Sequence, residues 1–461
     1  MKKYIFIPVL MLISMSLSAQ SLGYEDLSIL FSQDDNNGTA RFRAMGGAFG
    51  ALGGDISSMN INPAGLTIFN GSLISASLNS RNTDYRTTYY GNTITTSRDY
   101  FVLSNAGGVF VYEDFNTSGW EKFAIGFNYR IKIDFDNNFS ASGNSGFASF
   151  NSFPLDTNDP ALMYTTAENQ NFDNTFNGDI AEYNFAFAAQ YKEKLNIGAT
   201  INTYNIRFSQ RSTLQERNND GNGNTLNANF YQEAFTFGTG FSLSAGFLYK
   251  ADDRFRFGLS YQTPTWYNEL LEESNIVNND GYLGDTRIEV SNNTTIYSNT
   301  ADGFFPNQRF IYQLRTPGKF TASAAIVFGK SGLISFDYIS KNYRGINLSG
   351  ANFSVENQFF RDQLRNTHNF NIGAEWRFDD LSVRGGYTYR ESPDANAIDS
   401  DNLKRYTFGA GYSFDNVKID VAYSDDNRTG LYNFYPQFAQ VDPAELKIDN
   451  KHITATLSIH L

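Results

Sequence analysis

One pattern decides the fold of this chain, and its clearest example is Tyr183-Asn184-Phe185-Ala186-Phe187-Ala188-Ala189-Gln190-Tyr191. The odd positions are apolar or aromatic, and the even positions are small or polar. Because successive side chains of a β-strand point to opposite faces, this alternation predicts a strand with one apolar face and one polar face. The same alternation returns at 123–129, 255–261, 370–378 and 406–414.

The lengths of the links between these segments indicate a barrel rather than a sandwich. Short links at 192–194, 250–254, 329–332, 379–381 and 415–416 alternate with long ones at 134–179, 208–231, 264–316, 343–366, 391–403 and 424–451. Outer-membrane barrels have this layout, with tight periplasmic turns and long outer loops. The pattern therefore predicts an all-β transmembrane barrel of about fourteen antiparallel strands.

The fourteen strands are expected at 72–79, 100–112, 122–133, 180–191, 195–207, 232–249, 255–263, 317–328, 333–342, 367–378, 382–390, 404–414, 417–424 and 452–461. Residues 287–297 in the long 264–316 link are a further candidate for the wall. The last strand alternates up to the final residue, Leu461. A barrel that closes there leaves no exposed sheet edge.

Composition agrees with a membrane barrel and excludes other classes. Aromatic residues make up 16% of the chain, with 42 Phe and 28 Tyr, yet no long apolar run follows residue 17. The net charge of -12 argues against binding to nucleic acid, which needs a basic surface. There is no cysteine, which excludes disulfides and thiolate metal sites.

The first nineteen residues have the layout of a secretory signal peptide. Lys2 and Lys3 precede an apolar run that ends in Leu17-Ser18-Ala19, with an expected cut after Ala19. A membrane anchor is the alternative, but the run is short of the ~20 residues that a spanning helix needs. The mature chain is therefore expected to begin at Gln20 and to reside in the outer membrane.

Residues 20–70 do not alternate, and small residues dominate them. Asp55 and Asn62 are expected to cap helix N-termini, and Pro63 fits a first helical position. A segment of about 50 residues is too small for a core of its own. It is expected to form a partly helical plug that borrows the interior of a barrel formed by residues 71–461.

This segment resembles the N-terminal hatch of the FadL/TodX-type outer-membrane transporters of long-chain fatty acids and toluene. The resemblance rests on the hatch motif residues Gly46, Gly47, Asp55, Asn62, Pro63, Ala64 and Gly65. A second similarity lies in the last third of the chain, at 371–377, 383–387, 392–393, 408–412 and 419–423. An ordinary helix start is the alternative interpretation of the Asn-Pro-Ala-Gly element.

The resemblance implies passive uptake of a hydrophobic small molecule, caught by the outer loops, passed by the hatch and released sideways into lipid. It implies no cofactor, metal or energy coupling, and a monomeric barrel is expected. We also expect acidic wall residues to hold hatch arginines, although a polar lumen satisfied by its own ion pairs is the alternative. The possible contact residues are Arg41, Arg43, Asp337, Glu375, Arg377, Arg384 and Asp420.

Two other classes of function remain open, and enzymatic activity is not expected. A general porin needs an open lumen, and a surface-interaction protein would use its long outer loops. The three histidines are His368, His452 and His460. They form no Ser/His/acid cluster, so no catalytic residue is predicted.

Overall fold

The wall of the molecule is one antiparallel sheet that closes on itself. The computed structural model describes residues 22–113, 119–275, 285–299, 308–435, 438 and 440–461; the predicted leader, residues 1–19, lies outside them. Within the described residues the wall has fourteen strands, as predicted. The first strand pairs with the last, from Leu73 opposite His460 to Thr88 opposite Glu445, which closes the barrel.

The strands and helices have the following bounds. In chain order the wall contains β1 Leu73–Tyr89, β2 Asn92–Glu113, β3 Trp120–Asp134 with its continuation Asn137–Gly143, β4 Thr166–Tyr191, β5 Leu195–Asn219, β6 Thr225–Lys250, β7 Phe255–Gln262 with Trp266–Ser274, β8 Gln308–Arg315 with Lys319–Phe328, β9 Gly332–Asn342, β10 Asn366–Phe378, β11 Leu381–Arg390, β12 Leu403–Phe414, β13 Val417–Tyr432 and β14 Ala444–His460. The helices are α1 Tyr24–Phe31, α2 Ala40–Ala44 and α3 Ser354–Gln363, with 3₁₀ turns at Ile56–Asn60, Pro63–Ile68, Tyr343–Gly345 and Asp399–Asp401. Short strands Asp285–Val290, Tyr297–Ser298 and Asn347–Ser349 lie in the loops.

The two ends of the barrel differ, and we name them by their links. The turn end carries the short links such as 192–194 and 415–416, and the loop end lies opposite. Near the turn end the outward side chains are apolar, as at Phe185 and Phe187, and the inward ones are small or polar. Aromatic residues mark both borders of this apolar belt: Tyr249, Trp376, Phe378, Tyr412 and Phe414 on one side, and Phe237, Tyr261, Tyr406 and Tyr423 on the other.

Several strands continue well past the belt, which the predicted boundaries missed. β4, β5 and β6 have 26, 25 and 26 residues, or roughly 80 Å of chain at about 3.3 Å per residue. The predicted long link 208–231 is therefore mostly strand, closed by a turn at 220–224, and β1 and β2 are joined by Tyr90-Gly91 alone. Likewise, Asp285–Val290 pairs with β6 beyond the end of β7, which extends the wall without adding a fifteenth strand.

The boundaries were missed because the polarity of the two strand faces inverts beyond the belt, while the alternation of inward and outward positions continues. On β5 the outward positions change from Ile197 and Ile201 to Arg207 and Arg211. The inward positions change in the opposite sense, from Asn196 to Ile206 and Phe208. A search for apolar residues on the lipid-facing parity therefore stops at the border of the belt.

Residues 22–72, here called the N-terminal segment, lie inside the barrel. They bond to inward side chains on opposite sides of the wall, for example Ala40 N to Thr456 Oγ1 (2.7 Å) and Thr67 Oγ1 to Asn196 Oδ1 (2.8 Å). α1 lies in the loop-end half, and the segment then descends to join β1 at the turn end. None of the helices in the described ranges is both long and apolar enough to span a membrane.

Candidate functional site

A cluster of charges joins the N-terminal segment to the wall at the turn end. Arg41 Nε lies 2.7 Å from Glu375 Oε2, and this buried carboxylate also contacts Arg377 and Arg384 at 2.6 Å each. Arg384 lies 2.7 Å from Asp420 Oδ1. The structure thus brings together five of the seven predicted contact residues. Removing one partner from such a buried cluster leaves an uncompensated charge.

The other two predicted contact residues, Arg43 and Asp337, have different partners. Arg43 is buried and bonds to Asn37 and, at 3.1 Å, to Ser424 Oγ rather than to an acid. Asp337 on β9 accepts hydrogen bonds from the backbone N–H groups of Phe49 (2.9 Å) and Gly50 (3.1 Å). It therefore fixes the backbone of the segment instead of a hatch arginine.

The residues of the Asn-Pro-Ala-Gly element and of Asp55 shape the segment locally. Asp55 is the N-cap of Ile56–Asn60, where its Oδ1 accepts from Ser57 N at 2.9 Å. Asn62 caps Pro63–Ile68 through Ala64 N, and its Nδ2 donates to Gly50 O (2.8 Å) and to the wall at Phe247 O (2.9 Å). Asn62 therefore ties the 3₁₀ turn Pro63–Ile68 and the backbone at Gly50 to β6.

Glycines allow the segment to pack backbone against backbone. Gly46 and Gly47 adopt φ values of 61° and 78°, which side chains disfavour. A β-carbon on Gly65 would lie 2.7 Å from Gly53 Cα. Seven wall glycines would likewise bring a β-carbon within 2.2–2.8 Å of the segment: Gly126, Gly198, Gly246, Gly258, Gly373, Gly386 and Gly409. The sequence shows these glycines at small, inward positions, but it does not show what they face.

A row of asparagines runs along the inward face of the wall. Asn105 donates to Asn128 (2.6 Å), Asn128 to Asn184 (3.2 Å) and Asn184 to Asn202 (2.8 Å). Asn202 in turn donates to Ser242 Oγ at 3.1 Å. The row spans β2 to β6 on the inward face, nearer the turn end than the buried apolar residues Ile133, Ile180 and Ile206.

The loop-end lumen contains apolar wall residues packed around α1, here called the apolar chamber, which the sequence analysis did not predict. Leu27 and Phe31 of α1 are buried in it. Its wall residues are Ile133, Phe135, Ile180, Tyr204, Ile206, Phe208, Tyr267, Leu270, Tyr312, Leu314, Tyr343, Ile346 and Leu348. The signal that could have found it is the change from polar to apolar on the inward parity of β5.

Four basic side chains lie below and beside this chamber, and we call them the basic floor: Lys132, Lys319, Lys341 and Arg390. Lys132 donates to Phe31 O at 3.3 Å, Lys341 donates to Ser32 O, and Lys319 donates to Asn60 O at 3.0 Å. Lys319 and Lys341 occupy directly opposed positions on β8 and β9. In the described part of the chain no carboxylate lies within 4.0 Å of any of the four, but the buried carboxylate of Asp34, which pairs with Arg130, is close enough to act on all four electrostatically.

A second apolar cluster closes the loop end beside the chamber. It joins Tyr89 and Phe172 to Tyr432 at the end of β13 and to Phe434 and Tyr435 in the link that follows. A buried carboxylate, Glu216, fastens this region. It accepts hydrogen bonds from Ser149 N (2.8 Å), Phe150 N (3.0 Å), Gln170 Nε2 (3.0 Å) and Tyr435 OH (2.9 Å). Burial raises the pKa of Tyr435, so its phenol stays a neutral donor.

The wall is interrupted between β2 and β3. Their backbone pairing ends at Asn105 opposite Arg130, and above this point the side chains of Thr96 and Arg98 reach Asn138 O and Asp136 instead. At the same height β3 has a register shift between Ile131 and Ile133, and residues 131–135 are all buried.

Two of the three histidines, His368 and His452, lie on different faces of the wall. His452 is buried near Asn79 and lies 3.8 Å from Asp426, and His368 Nδ1 is 2.6 Å from Tyr338 OH on the outer face. No group of three or more metal-ligating side chains occurs in the ranges that the structure describes.

Comparisons with known proteins agree on one family. The family model described as "Outer membrane protein transport protein (OMPP1/FadL/TodX)" matches residues 31–427. A FadL homologue from Pseudomonas aeruginosa shares the fold at 12% identity and a TM-score of 0.59, covering 93% of this chain and 99% of its own. The toluene transporters TodX of P. putida (16% identity, TM-score 0.51, 93% and 99% covered) and TbuX of Ralstonia pickettii (19%, 0.50, 92% and 100%) do so as well. No curated protein matches the chain in sequence.

Proposed function

The chain belongs to the OMPP1/FadL/TodX family of outer-membrane transport proteins, and from this premise we propose that it takes up carboxylate-bearing hydrophobic molecules such as long-chain fatty acids. The family transports hydrophobic compounds through channels and is not a family of enzymes. In this proposal uptake is passive, and the N-terminal segment acts as the hatch that gates it.

The observation that carries the proposal is the contact between the apolar chamber and the basic floor. An apolar space favours a hydrocarbon chain, whereas the basic floor and Arg130, which together outnumber the neighbouring carboxylates Asp34 and Glu182, favour an added anion. A neutral hydrocarbon such as toluene would use the chamber and leave the charges unused. A fatty acid uses both, with its tail against Ile206 and Phe208 and its carboxylate at Lys132 and Lys341.

α1 occupies this site in the present conformation and mimics such a ligand. Leu27 and Phe31 fill the chamber, and the carbonyl oxygens of Phe31 and Ser32 accept from Lys132 and Lys341. Carbonyls at a helix C-terminus carry a partial negative charge of about half an electron. A full carboxylate would displace them, and α1 would move with the segment to which it is joined.

The interruption between β2 and β3 supports a sideways exit. It lies at the height of Arg130, which bonds to Asp34 of the segment (2.7 Å) and to Glu182 (2.6 Å). Loss of the Arg130–Asp34 contact as α1 moves would free the lumen side of this gap. A hydrophobic ligand would then enter lipid without crossing periplasmic water, which is the favoured route for apolar surface.

A general porin and a loop-based surface protein fit the observations less well. The turn-end lumen holds the N-terminal segment against seven glycines, and two apolar clusters fill the loop end. We further propose export by a leader cleaved after Ala19 and a monomeric barrel in the outer membrane. The intact mass of the purified native protein checks both the cleavage and the oligomeric state.

The test compares two ligands of equal chain length, oleate and oleyl alcohol, bound to the full chain in phosphatidylcholine nanodiscs. We expect the double variant Lys132→Gln/Lys341→Gln to lower oleate affinity about tenfold or more, since a charge-assisted contact contributes ~1.5–3 kcal/mol. Oleyl alcohol affinity should change by less than about twofold. The matched control is Lys447→Gln, an exposed lysine outside the lumen.

Three outcomes separate the claims. Loss of oleate binding in the double variant, with oleyl alcohol binding retained, supports the carboxylate site. Equal affinities of the wild type for both ligands, unaffected by the variant, would remove the fatty-acid assignment and leave a neutral hydrophobic ligand. Failure of the wild type to bind either ligand would count against the chamber as the binding site.

A further inference from the structure

A notch in the outer surface lies between β8 and β9, on the opposite side of the lumen from the gap at β2. The two strands pair as far as Lys319 opposite Lys341. Beyond this point β8 passes through Thr316-Pro317-Gly318, and β9 ends in the 3₁₀ turn Tyr343–Gly345. Pairing resumes at Arg315 opposite Asn347, so a short stretch of wall lacks hydrogen bonds between the strands.

The notch holds a cleft of about 460 Å³ that opens to the outside. It is lined by Tyr261, Gly318, Phe320, Ser340, Asn342, Arg344 and Asn366. Its lower part is apolar, because Tyr261 and Phe320 are 51% and 41% exposed on the lipid-facing parity. Above Phe320 the exposed side chain of β8 is Arg315, so the cleft straddles the border of the apolar belt.

The upper part of the cleft is basic and presents hydrogen-bond donors of Arg344 to a ligand. Arg344 is exposed, and its Nε donates to Leu364 O at 2.8 Å, which fixes the side chain and leaves both Nη groups free for a ligand. Neither Arg344 nor Arg315 pairs with a carboxylate in the described ranges of the chain. Elsewhere on the outer wall carboxylates neutralise the arginines of the pairs Arg207–Asp179, Arg211–Glu233, Arg217–Glu168, Arg287–Glu289 and Arg309–Glu273.

We propose that this cleft binds a phosphate-bearing lipid of the outer leaflet, with its headgroup at Arg344 and its acyl chain along Tyr261 and Phe320. The volume suits a headgroup and the start of a chain, and small-molecule sites commonly measure about 300–1,000 Å³. A guanidinium with two free Nη groups binds phosphate oxygens in a bidentate manner. The aromatic rings sit where acyl chains of the surrounding leaflet begin.

A bound lipid would fill the stretch of the β8–β9 seam between the pair Lys319–Lys341 and the pair Arg315–Asn347, which lacks strand pairing. Behind the notch lie Tyr343 and Ile346, which belong to the wall of the apolar chamber. The lipid would therefore seal the chamber on this side, and hydrophobic ligand would not leak out opposite the gap at β2. This role is separate from ligand binding in the lumen.

The test is native mass spectrometry of the full chain, titrated in an uncharged detergent with dioleoyl phosphatidylglycerol or with dioleoylglycerol, which lacks the phosphate. We expect a phosphatidylglycerol adduct on the wild type, weakened about fivefold to tenfold in Arg344→Gln and restored in Arg344→Lys in part. The matched control is Arg86→Gln, an exposed arginine of β1 that also lacks a carboxylate partner in the described ranges.

Competition by inorganic phosphate tests the headgroup site, and the Phe320→Ala variant tests the acyl-chain site. Competition by about 10 mM phosphate, with no effect of Phe320→Ala, would show an anion site without a chain site and would overturn the lipid assignment. Equal adducts with dioleoylglycerol, or equal losses in Arg344→Gln and Arg86→Gln, would overturn the headgroup site. Heat-modifiable migration in gels confirms that each variant is folded.

Discussion

The turn-end and loop-end halves of this barrel are built from the same strands with opposite polarity. At the turn end β5 presents Ile197 and Ile201 outward and Asn196 and Asn202 inward. At the loop end it presents Arg207 and Arg211 outward, and Ile206 and Phe208 face the chamber. The strand geometry is unchanged, and the difference lies in the surroundings. Lipid requires apolar residues outside, whereas water outside lets the strand turn its apolar face to the lumen.

The two halves also differ in the contacts that hold the N-terminal segment against the wall. In the turn-end lumen, ion pairs and backbone contact at glycines join the segment to the wall beside two apolar clusters around Met59 and Phe49, and the loop-end lumen packs apolar residues around α1. Perturbing the turn-end charges or glycines should therefore loosen the segment, and perturbing the chamber should lower the retention of an apolar ligand.

The largest effect is expected from Glu375→Lys in the turn-end half. The new ammonium would face Arg41, Arg377 and Arg384 at the site of the lost carboxylate, and breaking such a buried cluster costs ~3–5 kcal/mol. Limited proteolysis should then cleave within residues 22–70, while β-barrel migration in gels persists. The control Glu445→Lys removes an exposed pair with Lys447 that contributes at most ~1 kcal/mol. Unchanged protease sensitivity would show that the cluster does not hold the segment.

A smaller effect is expected from a single methyl group placed on one face or the other of β11. In Gly386→Ala the β-carbon would lie 2.5 Å from Gly46 N, and such overpacking costs ~1–3 kcal/mol. In the neighbour Gly385→Ala the nearest atom is Thr407 O at 3.8 Å. We expect ion conductance in planar bilayers to rise for Gly386→Ala alone. Equal conductance of the two variants would mean that the segment yields without opening a path.

The smallest effect is expected from Ile→Thr substitutions made on β5, one in each half of the barrel. Ile206 is buried in the chamber, so Ile206→Thr introduces a hydroxyl there at a cost of ~1 kcal/mol. Retention of oleyl alcohol should fall about fivefold. Ile201→Thr lies on the belt, 54% exposed, and should leave retention unchanged. A similar loss in both variants would remove the distinction between the halves.

The sequence was a good guide where the surroundings are lipid, and a poor one elsewhere. Alternation of the kind seen at 183–191 located the fourteen strands, and the N-caps Asp55 and Asn62 were predicted from residue type alone. Local patterns carry this information because side-chain direction and capping depend on near neighbours. The strand extensions were missed because their outward face is as polar as a loop.

Contacts between distant parts of the chain were predictable in kind but not in pairing. Arg41 was expected to meet an acid, and the structure shows that the acid is Glu375. Arg43 was grouped with it, yet it bonds to Asn37 and Ser424, because a five-residue helix points Arg41 and Arg43 to different sides of the lumen. The basic floor was not anticipated, since Lys132, Lys319 and Lys341 converge only when the barrel closes.

The short connection between the plug and the wall has a consequence for recovery after displacement. Only Phe69 to Ser72 separate the last turn of the N-terminal segment from Leu73 of β1. If the N-terminal segment leaves its binding site in the lumen, it stays tethered next to that site, at an effective concentration on the order of millimolar or higher. Its return is therefore a unimolecular step whose rate does not depend on how much protein is present. Such a tethered part can act repeatedly without being lost or replaced.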